Sequence, residues 1–176
     1  NTYTSLLCTN VILYILSLNN HFIETTYFID QLRTTIHVAL LSLCLDQTEA
    51  LAKPTAEIIS KIWKRFSKYY NEGLNEVLDQ GIATALVSPS PNMMIRSFHL
   101  YSYLIQDPQF MVDSFVNYDC DDNGIFHNIF ENTVNIIVKR SYPEQISVEL
   151  QKEAMTTLLN ILKYLWQYYT DLASQK

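Results

Sequence analysis

Apolar side chains recur at helical spacing along nearly the whole chain, and the alternation that marks strands is scarce. Leu6, Leu7, Val11, Ile12, Leu13, Ile15, Leu16 and Leu18 surround a first helix, roughly residues 3–18, that is apolar all round. Such a helix is buried on every side, or leaves one face for a neighbour outside this chain. Asn19-Asn20 ends it. A second helix runs from about Phe22 to Leu45, long enough to hide a break, with Thr34-Thr35 the candidate. A third starts near Pro54, a residue suited to a first turn. Ile59, Ile62, Trp63, Phe66 and Tyr70 form its apolar stripe; Lys61, Lys64, Arg65 and Lys68 lie opposite and read as a solvated face.

Asn71 and Gly73 separate the third helix from a shorter one ending near Leu86. Ser88 to Asn92 is a loop, because each residue before a proline is pushed out of the α region. A fifth helix, about 93–105, carries Met94, Phe98, Tyr101 and Ile105 on one face. Asp107 caps a sixth, with Pro108 at its first position, and Phe110, Met111 and Phe115 follow. A further stripe comprises Phe126, Ile129, Phe130, Thr133, Val134 and Ile137, and Ser141-Tyr142-Pro143 closes it. The last helix, about 147–171, places Met155, Leu158, Leu159, Leu162, Leu165, Trp166 and Tyr169 on one face.

These segments predict an all-α fold of about eight antiparallel helices. Short links make hairpins, and hairpins stack into an α-solenoid of the armadillo or HEAT kind, although no strict repeat period is visible. Residues 1–176 form a single domain, and a start at Asn1 marks a fragment of a larger multidomain protein. With 48% apolar residues the chain fills a core, and three glycines and five prolines are too few for an all-β fold. The net charge of −6, with no basic stripe, argues against nucleic acid and against strong attraction to anionic lipid. The run from Leu6 to Leu18 is too short and too polar to span a membrane, and lacks the basic flank of a signal peptide. Cys8, Cys44 and Cys120 are far apart without a CxxC, which fits reduced thiols rather than a disulfide framework or structural zinc.

One stretch is denser in polar groups than any other: Phe115-Val116-Asn117-Tyr118-Asp119-Cys120-Asp121, followed by Asp122. It lies between two helical patterns. A helix end leaves carbonyls without partners and a helix start leaves amides without partners. Asn117, Asp119 and Asp121 carry short side chains able to satisfy backbone amides in both places, and Asn117 is expected to bridge both sides of the corner or to hold Asp119 and Tyr118 in place. Asp121, Asp122 or Asn123 is the expected cap of the next helix. Phe115, Val116 and Tyr118 add apolar mass.

Two chemical readings compete with a structural corner. Asp119-x-Asp121-x-Asn123-Gly124 opens like an EF-hand loop, but position twelve is Phe130 and Glu131 comes one residue late. Cys120 with His127 as base lacks any sign of a held, oriented pair. His21, His37 and His99 are isolated, and no glycine-rich phosphate loop is present. No catalytic residue, metal site or cofactor is predicted.

The stretch from Phe115 to Asp121 resembles the signature box of the HUS domain, the region upstream of the Sec-seven catalytic domain in the large guanine nucleotide exchange factors for Arf GTPases. Asp107-Pro108 and Met111-Val112-Asp113 resemble the family's approach to the box. Asn128-Ile129-Phe130-Glu131 resembles the helix after it, and Tyr142-Pro143 its end. The family has a shorter spacer before Asn-Ile-Phe-Glu; here Asp122 to His127 intervenes. The resemblance implies a non-catalytic helical regulatory segment. It packs on the upstream dimerisation and cyclophilin-binding domain, works with the Sec-seven domain of the same protein, and controls access of Arf and recruitment to Golgi or trans-Golgi membranes from the cytoplasm. A relative lacking the exchange domain, acting as a trafficking scaffold, is the alternative within the resemblance; a divergent calcium-binding domain is the alternative outside it.

Overall fold

The computed structural model describes residues 2–18, 25–121, 128–142 and 147–174. Among these the structure is all-helical, with no strand. The helix α1 spans Thr2–Ser17. Next, α2 (Thr26–Gln31) runs through a π-helical stretch, Leu32–Ile36, into α3 (His37–Cys44). A 3-10 turn, Glu49–Leu51, leads into α4 (Ala52–Glu76), which continues through a second π stretch, Val77–Ala83, into the single turn α5 (Thr84–Leu86). Then come α6 (Pro91–Leu104), α7 (Pro108–Ser114) with a third π stretch, Phe115–Asp119, α8 (Ile129–Ser141) and α9 (Val148–Ser174).

The described residues therefore make seven rods, close to the eight or so expected. The boundary expected at Asn71 and Gly73 is a kink at Tyr70 (φ −135°, ψ 26°), across which two helices run on as α4. Gly73 permits close approach rather than a reversal: a Cβ on it would collide with the Tyr70 ring. Gly81 does the same where α3 meets the second π stretch, since a Cβ would sit 2.8 Å from that of Cys44. The break suspected at Thr34-Thr35 is a π distortion within a continuous rod. The expected loop at residues 88–92 is shorter. Pro91 is already the first residue of α6, and the Ser90 hydroxyl accepts the Met93 amide at 3.4 Å.

At the centre lies α4, packed against α1, α3 and α6; α6 also meets α9, and α9 meets α8. The stripe Ile59, Ile62, Trp63, Phe66 and Tyr70 is buried as its spacing requires, and so are Met94, Phe98, Tyr101 and Ile105. The basic residues opposite are engaged locally. Lys64 pairs with Asp107 at 2.7 Å, and Arg65 donates to the Leu18 carbonyl at 2.8 Å.

Both terminal helices expose apolar faces. Of the two alternatives for α1, burial on every side gives way to one exposed face: Leu16 is covered, but Tyr3, Leu7, Val11 and Tyr14 are exposed. In α9 the predicted apolar stripe is largely the outer face. Leu150, Ala154, Thr157 and Ile161 are buried instead, and Leu158 and Leu165 are half-buried at the margin. The small residues explain the choice: Ala154 and Thr157 let α9 approach α6 closely enough for the Thr157 and Ser102 hydroxyls to bond at 3.2 Å. Nearby, His99 on α6 lies between Glu49 and Glu153, at 2.7 and 3.1 Å, and so ties α9 to the turn before α4.

The largest fully buried side chain is Arg96 on α6. Its guanidinium donates to the Cys44 carbonyl at 2.8 Å and to the Thr55 hydroxyl at 3.2 Å. It thereby closes the C-terminal end of α3 against the first turns of α4, where a carbonyl would otherwise lack a donor. Replacing it with methionine, Arg96→Met, keeps the length but strands that carbonyl. The expected loss is about 1–3 kcal/mol, read from chemical denaturation. Burial also pushes the Cys44 thiol up to about 12, whereas Cys8 and Cys120 are exposed. Because the thiolate is the nucleophile, alkylation near pH 8 is expected to modify Cys8 and Cys120 in the native chain and to reach Cys44 only on denaturation; mass spectrometry distinguishes the sites.

Candidate functional site: the box between α7 and α8

Asp107 and Pro108 start α7 as their types dictate, with the Asp107 carboxylate accepting the Gln109 amide at 3.2 Å. The helix is then tied on two sides. The Trp63 indole donates to Asp113 at 3.1 Å, Gln109 donates to Asp113 at 2.6 Å, and the Tyr168 hydroxyl of α9 donates to Gln109 at 2.9 Å.

At Phe115 the turn widens. The Cys120 amide donates to the Phe115 carbonyl at 3.0 Å, a bond spanning five residues instead of four. Here Tyr118 turns in, 1% exposed, while Phe115 and Val116 turn out at 48% and 56% and Asn117 is exposed. The Tyr118 hydroxyl donates to the Asn71 carbonyl of α4 at 3.3 Å, beside the bend at Tyr70. Its ring meets Trp63 edge-on with centroids 5.9 Å apart, and Trp63 meets Phe110 likewise at 4.9 Å. Burial raises the Tyr118 phenol above its ordinary range, and the nearby Asp113 carboxylate adds to the shift.

Asp119 satisfies helix-start amides, as its type allows. One carboxylate oxygen accepts the Phe130 amide at 3.0 Å and the other accepts the Glu131 amide at 2.7 Å. Those are the second and third amides of α8, left without intrahelical partners. Asn128, the residue adjoining the helix, makes no capping bond through its side chain. The cap therefore comes from eleven positions upstream. Ile129 is buried, Phe130 packs edge-on against Phe115 with centroids 6.3 Å apart, and Glu131 is exposed.

The expectation that Asn117 bridges the corner is not met: it is exposed, and no hydrogen bond of its side chain occurs among the described residues. A short amide on the outer side of a π-turn has no backbone group within reach. Of the three residues expected to cap α8, Asp121 does not hold its first amides, and Asp122 and Asn123 lie outside the described residues, as do Gly124, Phe126 and His127. Cys120 is an exposed thiol. Both oxygens of Asp119, the first ligand position of an EF-hand reading, are committed to amides of α8, which speaks against that reading. Residue types alone did not point to Trp63, Asn71 or the Tyr70 bend as partners of the box; only the apolar stripe of α4 hinted that Trp63 faces this way.

With the geometry in place, comparison with known families is decisive. The family model described as "Mon2/Sec7/BIG1-like, HUS domain" matches residues 1–125, which include the whole box. The chain belongs to the Sec7-like HUS domain family. Comparison with curated proteins and with solved structures finds no match. The HUS domain is a non-catalytic region distinct from the Sec7 exchange domain, and this one is a domain of such a factor. No helix among its described residues is long and apolar enough to cross a membrane.

The division of labour within the box yields a paired expectation. Asp119→Ala removes the acceptor for two helix-start amides and is expected to cost about 1–2 kcal/mol, the range of a strong N-cap. Asn117→Ala is expected to stay within about 0.5 kcal/mol, as at other exposed sites. Thermal and urea unfolding of the two variants beside wild type checks both.

Proposed function

We propose that this HUS domain is a regulatory interaction module of a large Arf exchange factor in Golgi vesicle traffic. In this reading its helices stack as an α-solenoid continuing from the upstream dimerisation domain. The pair governs how Arf reaches the Sec7 domain of the same polypeptide and how the protein is held peripherally on Golgi membranes. One observation supports the reading most. The π-turn splits the box in two, with Tyr118 and Asp119 holding α4 and α8 while Phe115 and Val116 face solvent beside Asn117. Large apolar side chains left outward on a rigid corner are the kind that a partner covers. Phe130 extends the patch through its contact with Phe115.

The test separates surface from scaffold. Val116→Asp is expected to weaken association with the upstream domain at least tenfold, roughly the loss of a central interface residue. Its thermal unfolding should match wild type, because the side chain is already in water. Calorimetric titration of the upstream domain into each variant gives the answer. Unchanged affinity in a folded Val116→Asp protein would sink the reading.

A further inference from the structure

Between α4 and the end of α6 runs a groove of about 470 Å³. It exists because Ala56 and Ser60, one turn apart on α4, are small, while Tyr103 lines the opposite side. Both helices belong to the middle of the chain, and each packs elsewhere: α4 also meets α1 and α3, and α6 also meets α9.

The groove is rich in donors and poor in acceptors. Lys53, Lys61 and Lys64 of α4 line it. Glu57 lies four positions from both Lys53 and Lys61, the spacing of a helical ion pair. Even so, neither lysine makes an ion pair or a hydrogen bond among the described residues. Lys64 does pair with Asp107, at 2.7 Å, and the other Asp107 oxygen accepts the Gln109 amide. Both oxygens of that carboxylate are therefore occupied. The side chains of Ser60, Tyr103 and Gln106 also line the groove and make no hydrogen bond among the described residues. Against these donors, Glu57 is the one carboxylate among the described lining residues.

We infer that this groove receives an extended acidic segment of a partner protein, with two carboxylates three or four residues apart. Lys53 and Lys61 are eight positions apart on one helix, which is about 12 Å along its axis. An extended chain covers that distance in three or four residues, at about 3.3 Å each. One carboxylate sits at Lys53, and the other is shared by Lys61 and Lys64. Between them, the Ser60 and Tyr103 hydroxyls and the Gln106 amide donate to carbonyls of the peptide backbone. The shape favours a peptide over other anions. A bilayer is flat and meets the whole chain with its net charge of −6, whereas this groove offers its lysines to something narrow. A nucleic-acid strand needs a continuous cationic track, which Glu57 interrupts.

The probe is a rhodamine-labelled, C-terminally amidated peptide, Gly-Glu-Ser-Gly-Ser-Glu-Gly. Titrated with the 176-residue chain at low salt, it is expected to bind saturably by fluorescence anisotropy; the same peptide with both Glu changed to Gln is not. Added salt should weaken the binding, since exposed charges are screened. Lys53→Gln/Lys61→Gln should weaken it about fivefold or more, the effect of two solvent-facing ion pairs. Its unfolding midpoint should match wild type, because neither lysine holds another element. Lys139→Gln/Lys163→Gln removes the same charge from exposed positions of α8 and α9 and should leave the affinity unchanged. No saturation at hundreds of micromolar chain overturns the inference. Equal weakening by the two double variants also overturns it, since that reports overall charge alone. So does loss of phosphatidylserine vesicles, but not of the peptide, in Lys53→Gln/Lys61→Gln, which reports a lipid surface.

Discussion

The bend at Tyr70 is the constraint on which the rest of the molecule leans. Its ring lies where any side chain on Gly73 would be, its hydroxyl bonds to His37, and His37 in turn meets Glu76 at 3.2 Å. With the helix bent there, carbonyls on either side of Tyr70 are taken by side chains from distant segments. Arg33 donates twice to the Tyr69 carbonyl, at 3.1 and 2.7 Å, and Tyr118 donates to that of Asn71. A straight α4 would keep its carbonyls for its own amides. The bend thus fastens the π stretch of the second rod on one side and the box on the other to one turn of the central helix. Losing it would loosen both together.

Much of this was readable from residue order, and the parts that were not share a cause. Helical period found the buried stripe of α4 and the core residues of α6, and the Asp107-Pro108 pair marked the start of α7. Period is only partly met at the box. Tyr118, seven residues after the buried Met111, lies inward as helical spacing gives, but Phe115, four residues after it, is left outside. Hydrophobic weight fails where closeness matters more than area. The buried face of α9 is built around Ala154 and Thr157, and its heavier residues are left outside. Arg96 belongs to the same class, because an arginine among Ile95, Ser97 and Phe98 gives no sign that it holds the end of α3.

The box was legible as a corner and as a family signature, but not in its assignment of tasks. Asn117, Asp119 and Asp121 are alike in size and polarity, so composition ranks none of them as the cap. Only the direction in which the π-turn presents each one decides, and that depends on Tyr118 being drawn in beside Trp63. An aromatic contact with α4 therefore selects which carboxylate reaches α8.

A cap supplied from upstream has a further effect on how this region tolerates change. Asp119 holds the start of α8 directly, so the ten residues between Asp119 and Phe130 are not what sets that helix in position. They close a loop whose two ends are already joined by a carboxylate. For such a loop the entropic charge grows only with the logarithm of its length, about 0.6 kcal/mol for each doubling. The same anchorage predicts that shortening or extending this spacer leaves the corner on either side of it unaltered.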